Sequence, residues 1–109
     1  MLMRQLSVWV MSSQRAGRLV PKRRSGLRAG VVVLRPGGIM EWHSTQEHEE
    51  LLIAMTGRVV LEVLADSGRL RRVAVRAGQC AFLPRRVRHR VVNRSTASAR
   101  YIYVTAPYQ

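Results

Sequence analysis

Turn residues interrupt this chain at short, even intervals. Pro36-Gly37-Gly38, Gly57, Asp66-Ser67-Gly68, Ala77-Gly78 and Pro84 leave only short segments between them. Those segments are rich in Val and Leu, and such runs favour strands. Residues 30–35, 39–43, 58–64, 69–76, 79–83, 87–92 and 99–105 each read as a strand. In 58–64, Val59, Leu61 and Val63 share one face while Arg58 and Glu62 take the other. In 69–76, Arg71, Val73 and Val75 alternate against Arg72, Ala74 and Arg76. Many short strands at close spacing imply an all-β antiparallel sandwich or barrel. With 109 residues there is room for one domain and one core.

One segment resists this reading. Ser44-Thr45-Gln46-Glu47 has the form of a capping box, and 47–55 is rich in helix formers before Gly57. Local propensity therefore predicts a helix over 45–56. The competing reading is a loop to Glu49 and a buried strand over 50–56, since tertiary context can override propensity. The two place different residues together. A helix sets His43, Glu47 and Glu50 on one face and turns His48 away; a strand sets His48 beside Glu50.

Charge and cysteine content narrow the function. The net charge of +13 rests on 18 arginines and one lysine, which invites a nucleic-acid partner. The arginines are spread along the chain, however, and rows of aromatics for stacking on single-stranded bases are absent. A single cysteine, Cys80, excludes a disulfide framework and a cysteine-type zinc site within one chain, and suits a reducing, cytoplasmic compartment. Cys80 itself reads as a small buried hydrophobe. No apolar run reaches the ~18 residues of a membrane span, so no membrane partner is expected. An HExxH zinc motif is absent because position 52 is Leu. Residues 1–29 are basic and contain no acid. They read as a first strand over 5–11 and a linker over 12–30, with a transit peptide or an over-extended gene start as alternatives. The strand over 6–11 is a candidate for exchange across a two-fold axis, and a homodimer is expected because sheet edges need cover.

The three histidines and five of the six acids gather in or near two stretches, 38–57 and 78–93. His89 shares its strand face with Val87 and Val91, whereas Arg86, Arg88 and Arg90 face the other way, so His89 is expected to be buried. Gly78, five residues, Pro84, then His89, three residues, Asn93 reproduces the second motif of the cupin family, G-x5-P-x-G-x2-H-x3-N, with Arg86 where Gly is usual. For the first motif, G-x5-H-x-H-x3,4-E-x6-G, the matching residues are Gly37, His43, Glu50 and Gly57, with Thr45 at the second histidine position. Residues 30–105 thus resemble a small single-domain cupin.

The resemblance implies an antiparallel double-stranded β-helix, or jelly-roll barrel, over 30–109, with a divalent metal deep inside. His43, Glu50 and His89 carry over as ligands. His48 compensates for Thr45 if Glu50 lies on a strand, which gives a set of His43, His48, Glu50 and His89. Imidazole and carboxylate donors suit Fe, Mn, Zn, Ni or Co. The function implied is a metal-dependent barrel that binds a small organic molecule, acidic or sugar-like, with oxygenase or isomerase activity. The alternatives are a metal-free ligand-binding or sensor module and a basic nucleic-acid-binding protein. Tyr101 and Tyr103 share a face that is expected to point inward, and Arg35 and Arg58 are candidate clamps for an anionic ligand at the pocket mouth.

Overall fold

In a computed structural model of the chain, residues 10–20 and 26–107 are described. The strands are β1 (Gly17–Arg18), β2 (Arg28–Leu34), β3 (Ile39–Ser44), β4 (His48–Thr56), β5 (Arg58–Leu64), β6 (Leu70–Arg76), β7 (Cys80–Leu83), β8 (Arg88–Val92) and β9 (Ala99–Pro107). They form two antiparallel sheets, β1-β2-β9-β4-β7 and β3-β8-β5-β6, which together make a jelly roll. There is no helix among the described residues, and hence none long and apolar enough to cross a membrane. Of the strand expected over 5–11, only Val10 and Met11 are described, and they lie outside any strand; the rest falls outside the described residues. The expected linker holds the two-residue β1, which pairs with β2, and β2 itself begins two residues earlier than the sequence suggested.

The ambiguous segment is a strand. β4 pairs with β7 on one side and β9 on the other, so its backbone groups are satisfied from both edges. Gln46 takes a positive φ of 53°, which is incompatible with the first turn of a helix over 45–56. Glu50, Leu52 and Ala54 then face inward, with Leu52 fully buried. Leu52 and Ala54 pack with Leu34, Val59, Leu61, Val75, Leu83, Val91, Ala99 and Tyr101 between the sheets. Val73 is 42 % exposed, contrary to the even alternation expected of its strand, because β6 is the outer strand of its sheet. Gly57 is fixed by its turn. Its φ is +74°, and a Cβ there would come within 2.8 Å of the Ser98 carbonyl oxygen.

Asn93 fastens the loops at the base of the barrel. It is fully buried and its side chain makes four hydrogen bonds. The amide donates to the carbonyls of Leu34 (2.9 Å) and Ala97 (2.8 Å), and its oxygen accepts from the Ser95 amide and hydroxyl.

Glu62 is a second buried polar residue, and the reason for its burial is different. It lies on the outward face of β5, covered by guanidinium groups and not by the core. Arg72 and Arg94 donate to Oε2 at 2.9 and 3.0 Å, and Arg90 donates to Oε1. The Arg90 guanidinium also stands over the Trp42 ring. Hydrogen bonding by Arg90, with Arg72 and Arg94 adding to it, holds the Glu62 carboxyl down at about 2, against an ordinary value of 4.5. A depressed folded-state value stabilises fully above the unfolded-state value and is lost as pH falls towards the folded one. Urea unfolding across pH should therefore show stability falling between about pH 4.5 and 2. Glu62→Gln should lower stability at neutral pH and flatten that acid limb; an unchanged limb would contradict the assignment.

Candidate metal centre

The two sheets part at one end to form a cavity of about 330 Å³. Its lining combines His43, His48, Glu50, Tyr101, Tyr103 and Arg28 with the apolar Val32, Met40 and Val91. Each residue arrives there for a traceable reason. His89 lies on the inner face of β8 and is fully buried, as its alternation with arginines predicts. Glu50 lies on the inner face of β4. His43 needs a device. Simple alternation would put Met40 and His43, three residues apart, on opposite faces. A bulge in β3 between them shifts the register from Met40–Val91 to His43–His89, so both side chains reach the pocket.

The two imidazoles are oriented alike. Nδ1 of His43 donates to the Glu41 carbonyl at 2.8 Å, and Nδ1 of His89 donates to the Val87 carbonyl at 3.1 Å. A carbonyl can only accept, so each ring carries a proton on Nδ1, and in the neutral form of either ring the lone pair is left on Nε2. The rings stand 4.2 Å apart at a tilt of 59°. Nε2 of His89 is buried and has no hydrogen-bond partner among the described residues. Glu50 Oε1 lies 3.7 Å from it, too far for a hydrogen bond. Nor is this contact an ion pair. Burial pushes the Glu50 carboxyl up, with the neighbouring His43 opposing in part. Burial likewise pushes the His89 imidazole down, against its bond to Val87. Both groups are driven towards their neutral forms.

His43, Glu50 and His89 therefore converge, each offering one ligand atom within 4.8 Å of the others. Neighbouring donors on one ion at about 2.1 Å lie about 3.0–3.4 Å apart, so the three side chains would draw together by on the order of an ångström to close around a metal. The orphaned Nε2, the fixed tautomers and the mixed imidazole–carboxylate chemistry fit a divalent ion. His48 lines the same cavity from the inner face of β4, two residues before Glu50, but is not one of the three converging donors.

Thr45, at the second histidine position of the motif, does other work. It is buried, its hydroxyl donates to the Pro84 carbonyl (2.8 Å) and it accepts from the Val87 amide (3.0 Å). It thus ties the β3–β4 loop to the β7–β8 loop, next to the carbonyl that orients His89. Arg86 explains the motif's departure from Gly. Its φ is +61°, the region that favours Gly, and its guanidinium donates twice to Glu47 Oε2 across the same two loops.

Tyr101 and Tyr103 point inward as expected, and burial pushes the Tyr101 phenol well above its ordinary value. Arg35 and Arg58 are exposed and do not line the cavity. Arg28 does, and the sequence reading missed it inside the presumed linker. The available signal was the alternation of Arg28, Gly30 and Val32. Cys80 is exposed, not buried, because it sits on the outward face of β7, opposite Ile53.

Among known proteins, the family model for the cupin domain matches residues 30–105. A Cupin 2 conserved barrel domain protein from Salinispora arenicola CNS-205 is similar at 31 % identity and a TM-score of 0.70, over 84 % of this chain and 74 % of that one. TT1209 from Thermus thermophilus is similar at 24 % identity and a TM-score of 0.69, over 96 % of this chain and 93 % of that one. An oxalate oxidase in complex with the substrate analogue glycolate is similar at 24 % identity and a TM-score of 0.70, over 75 % of this chain. This chain spans 42 % of the length of that oxidase, and the likeness is one of fold. Comparison with curated proteins finds no match.

Thr45→Val removes both side-chain hydrogen bonds and leaves the part-buried Pro84 carbonyl and Val87 amide without them. Chemical denaturation should register a loss of about 2 kcal/mol. Thr45→Ser should retain most of the stability; equal losses in both variants would contradict the clamp.

Proposed function

The chain belongs to the cupin family, and on that premise we propose that it is a small metal-binding barrel that takes an organic molecule at a divalent ion. The observation that carries this reading is the buried, unpartnered Nε2 of His89, aimed where His43 and Glu50 also converge. These three residues would hold the ion. His48, on the Glu50 face of β4, would supply a fourth donor from the cavity wall. The donor set suits Fe, Mn, Zn, Ni or Co. Bound there, such an ion supplies Lewis acidity towards a ligand oxygen, the chemistry shared by oxygenase and isomerase classes. The protein's own share is geometric. The Nδ1–carbonyl bonds hold the imidazoles, the two phenols and Thr105 offer hydrogen bonds, and Val32, Met40 and Val91 exclude water from one side.

A second reading has its own observation. Thr45 occupies a ligand position and is committed to the loop clamp, which suits a module that binds its ligand without turnover.

The assembly we propose is a homodimer of 30–109 barrels, each with the basic segment 1–29 appended. The support lies on the outward face of the first sheet, where Val33 (43 % exposed), Leu51 (38 %), Met55 (36 %) and Phe82 (60 %) lie open. The exposed Cys80 thiol on that side suits a reducing, cytoplasmic setting.

Elemental analysis of untagged protein tests the central reading. The parent should carry near-stoichiometric divalent metal, and His89→Ala should lose it. His48→Ala should weaken binding on the order of tenfold without abolishing it. A parent that stays metal-free after reloading with iron, manganese or zinc would contradict the metal centre and leave the binding module. Solution scattering at micromolar concentration should give a dimer; a monomer would remove the proposed assembly.

A further inference from the structure

The cavity holds a cation that the metal reading does not use. Arg28 stands at the start of β2, in register with Thr105, which is in register with Glu50. The three form one row across the inner face of β2, β9 and β4. Two strand spacings of about 4.8 Å separate the ends of that row, so the Arg28 and Glu50 backbones lie about 10 Å apart. Arg28, itself exposed, thus lines the cavity at one end of that row, and Glu50 lies buried at the other. Arg28 lines the cavity, and among the described residues its guanidinium has neither a hydrogen bond nor an ion pair. Its situation differs from that of the arginines on the outer face of the second sheet, where Arg72, Arg90 and Arg94 are engaged by Glu62. Among the described residues Glu50 is the only acid lining the cavity, and it is directed at His89.

A second feature lies beside it. Tyr103 pairs with Gly30, the next residue after Arg28 on the inner face of β2. A Cβ at position 30 would come within 2.5 Å of the Tyr103 hydroxyl. The missing side chain of Gly30 therefore lets the phenol lie against β2, next to Arg28. An unpartnered guanidinium and an adjacent phenol form a ready seat for an anion.

Three properties of the cavity define that anion. One guanidinium neutralises one negative charge, which matches a carboxylate better than a phosphate dianion. The volume of about 330 Å³ corresponds to roughly eleven water molecules at about 30 Å³ each, which is room for a small organic molecule. Val32, Met40 and Val91 give the space between the two polar ends an apolar wall.

We propose that Arg28, with Tyr103 beside it, seats the carboxylate of a small organic acid whose second oxygen function reaches the His43–Glu50–His89 cluster. The inference rests on reading that cluster as a metal centre, and it names the ligand class for it.

The test is calorimetric titration with malonate, its neutral dimethyl ester and inorganic phosphate. Each is added to metal-loaded and to chelator-stripped protein, as parent, Arg28→Gln, Arg28→Lys and Arg35→Gln, after a thermal melt confirms that each variant is folded. Malonate should bind the loaded parent, and Arg28→Gln should weaken it at least tenfold. Arg28→Lys should restore part of the loss, and Arg35→Gln, outside the cavity, should bind like the parent. The diester should not bind detectably. Equal malonate affinity in the parent and Arg28→Gln would overturn the proposal, as would tighter binding of phosphate, or no malonate binding to folded, loaded parent. The two readings fail separately. If stripping the metal leaves malonate affinity unchanged while Arg28→Gln still weakens it, the anion seat stands and the metal reading falls. If stripping weakens binding and Arg28→Gln does not, the metal reading stands and the seat falls.

Discussion

The nitrogen lone pair at Nε2 of His89 is buried, and among the described residues no group hydrogen-bonds to it. Leaving a buried polar atom unpaired costs about 1–3 kcal/mol, so its persistence needs a reason. Several features hold it there. The bond from Nδ1 to the Val87 carbonyl fixes the ring, and the flanking Val91 seats β8 in the core. The bulge in β3 brings His43 opposite His89, and β4 brings Glu50 from the facing sheet. Strands from two different sheets are arranged so that one unsatisfied atom looks at two more donors.

The motif residues around this centre divide into donors and fasteners. Asn93 makes no approach to the pocket; its four side-chain bonds join the end of β2 to the β8–β9 loop. Thr45 and the Arg86–Glu47 pair join the two loops that flank the mouth. This explains how a threonine can occupy a position that the cupin motif gives to histidine. The hydroxyl at 45 braces Pro84 and Val87, and Val87 in turn orients the His89 ring. One pattern of spacings therefore mixes two kinds of constraint, ligand chemistry and loop registration, and only the three-dimensional arrangement separates them.

Much of the fold is legible in the sequence because turn residues and period-two alternation are local signals. The strand 58–64 and the burial of His89 follow from alternation alone. The rest depends on non-local facts. The segment after Ser44 carries helix-like chemistry, and only the pairing of β4 with both β7 and β9 decides against it. The approach of His43 depends on a bulge, which no periodicity announces. Alternation places Glu62 on a polar face, but its complete burial comes from arginines on β6, on β8 and just after β8. Cys80 reads as buried and is not, because burial of a short outer strand depends on which face is covered. Arg28 is hidden by a boundary: β2 begins at 28, whereas the residues before Gly30 read as linker.

The central claim is that both imidazoles are set with Nδ1 protonated and Nε2 free. Long-range proton–nitrogen NMR of the metal-free protein reads that state directly, ring by ring. The predicted result is the Nδ1–H tautomer at His43 and His89, with an unprotonated Nε2 at each that shifts on addition of zinc. An Nε2–H tautomer at His89 would point a proton where a lone pair is needed, and would contradict the claim.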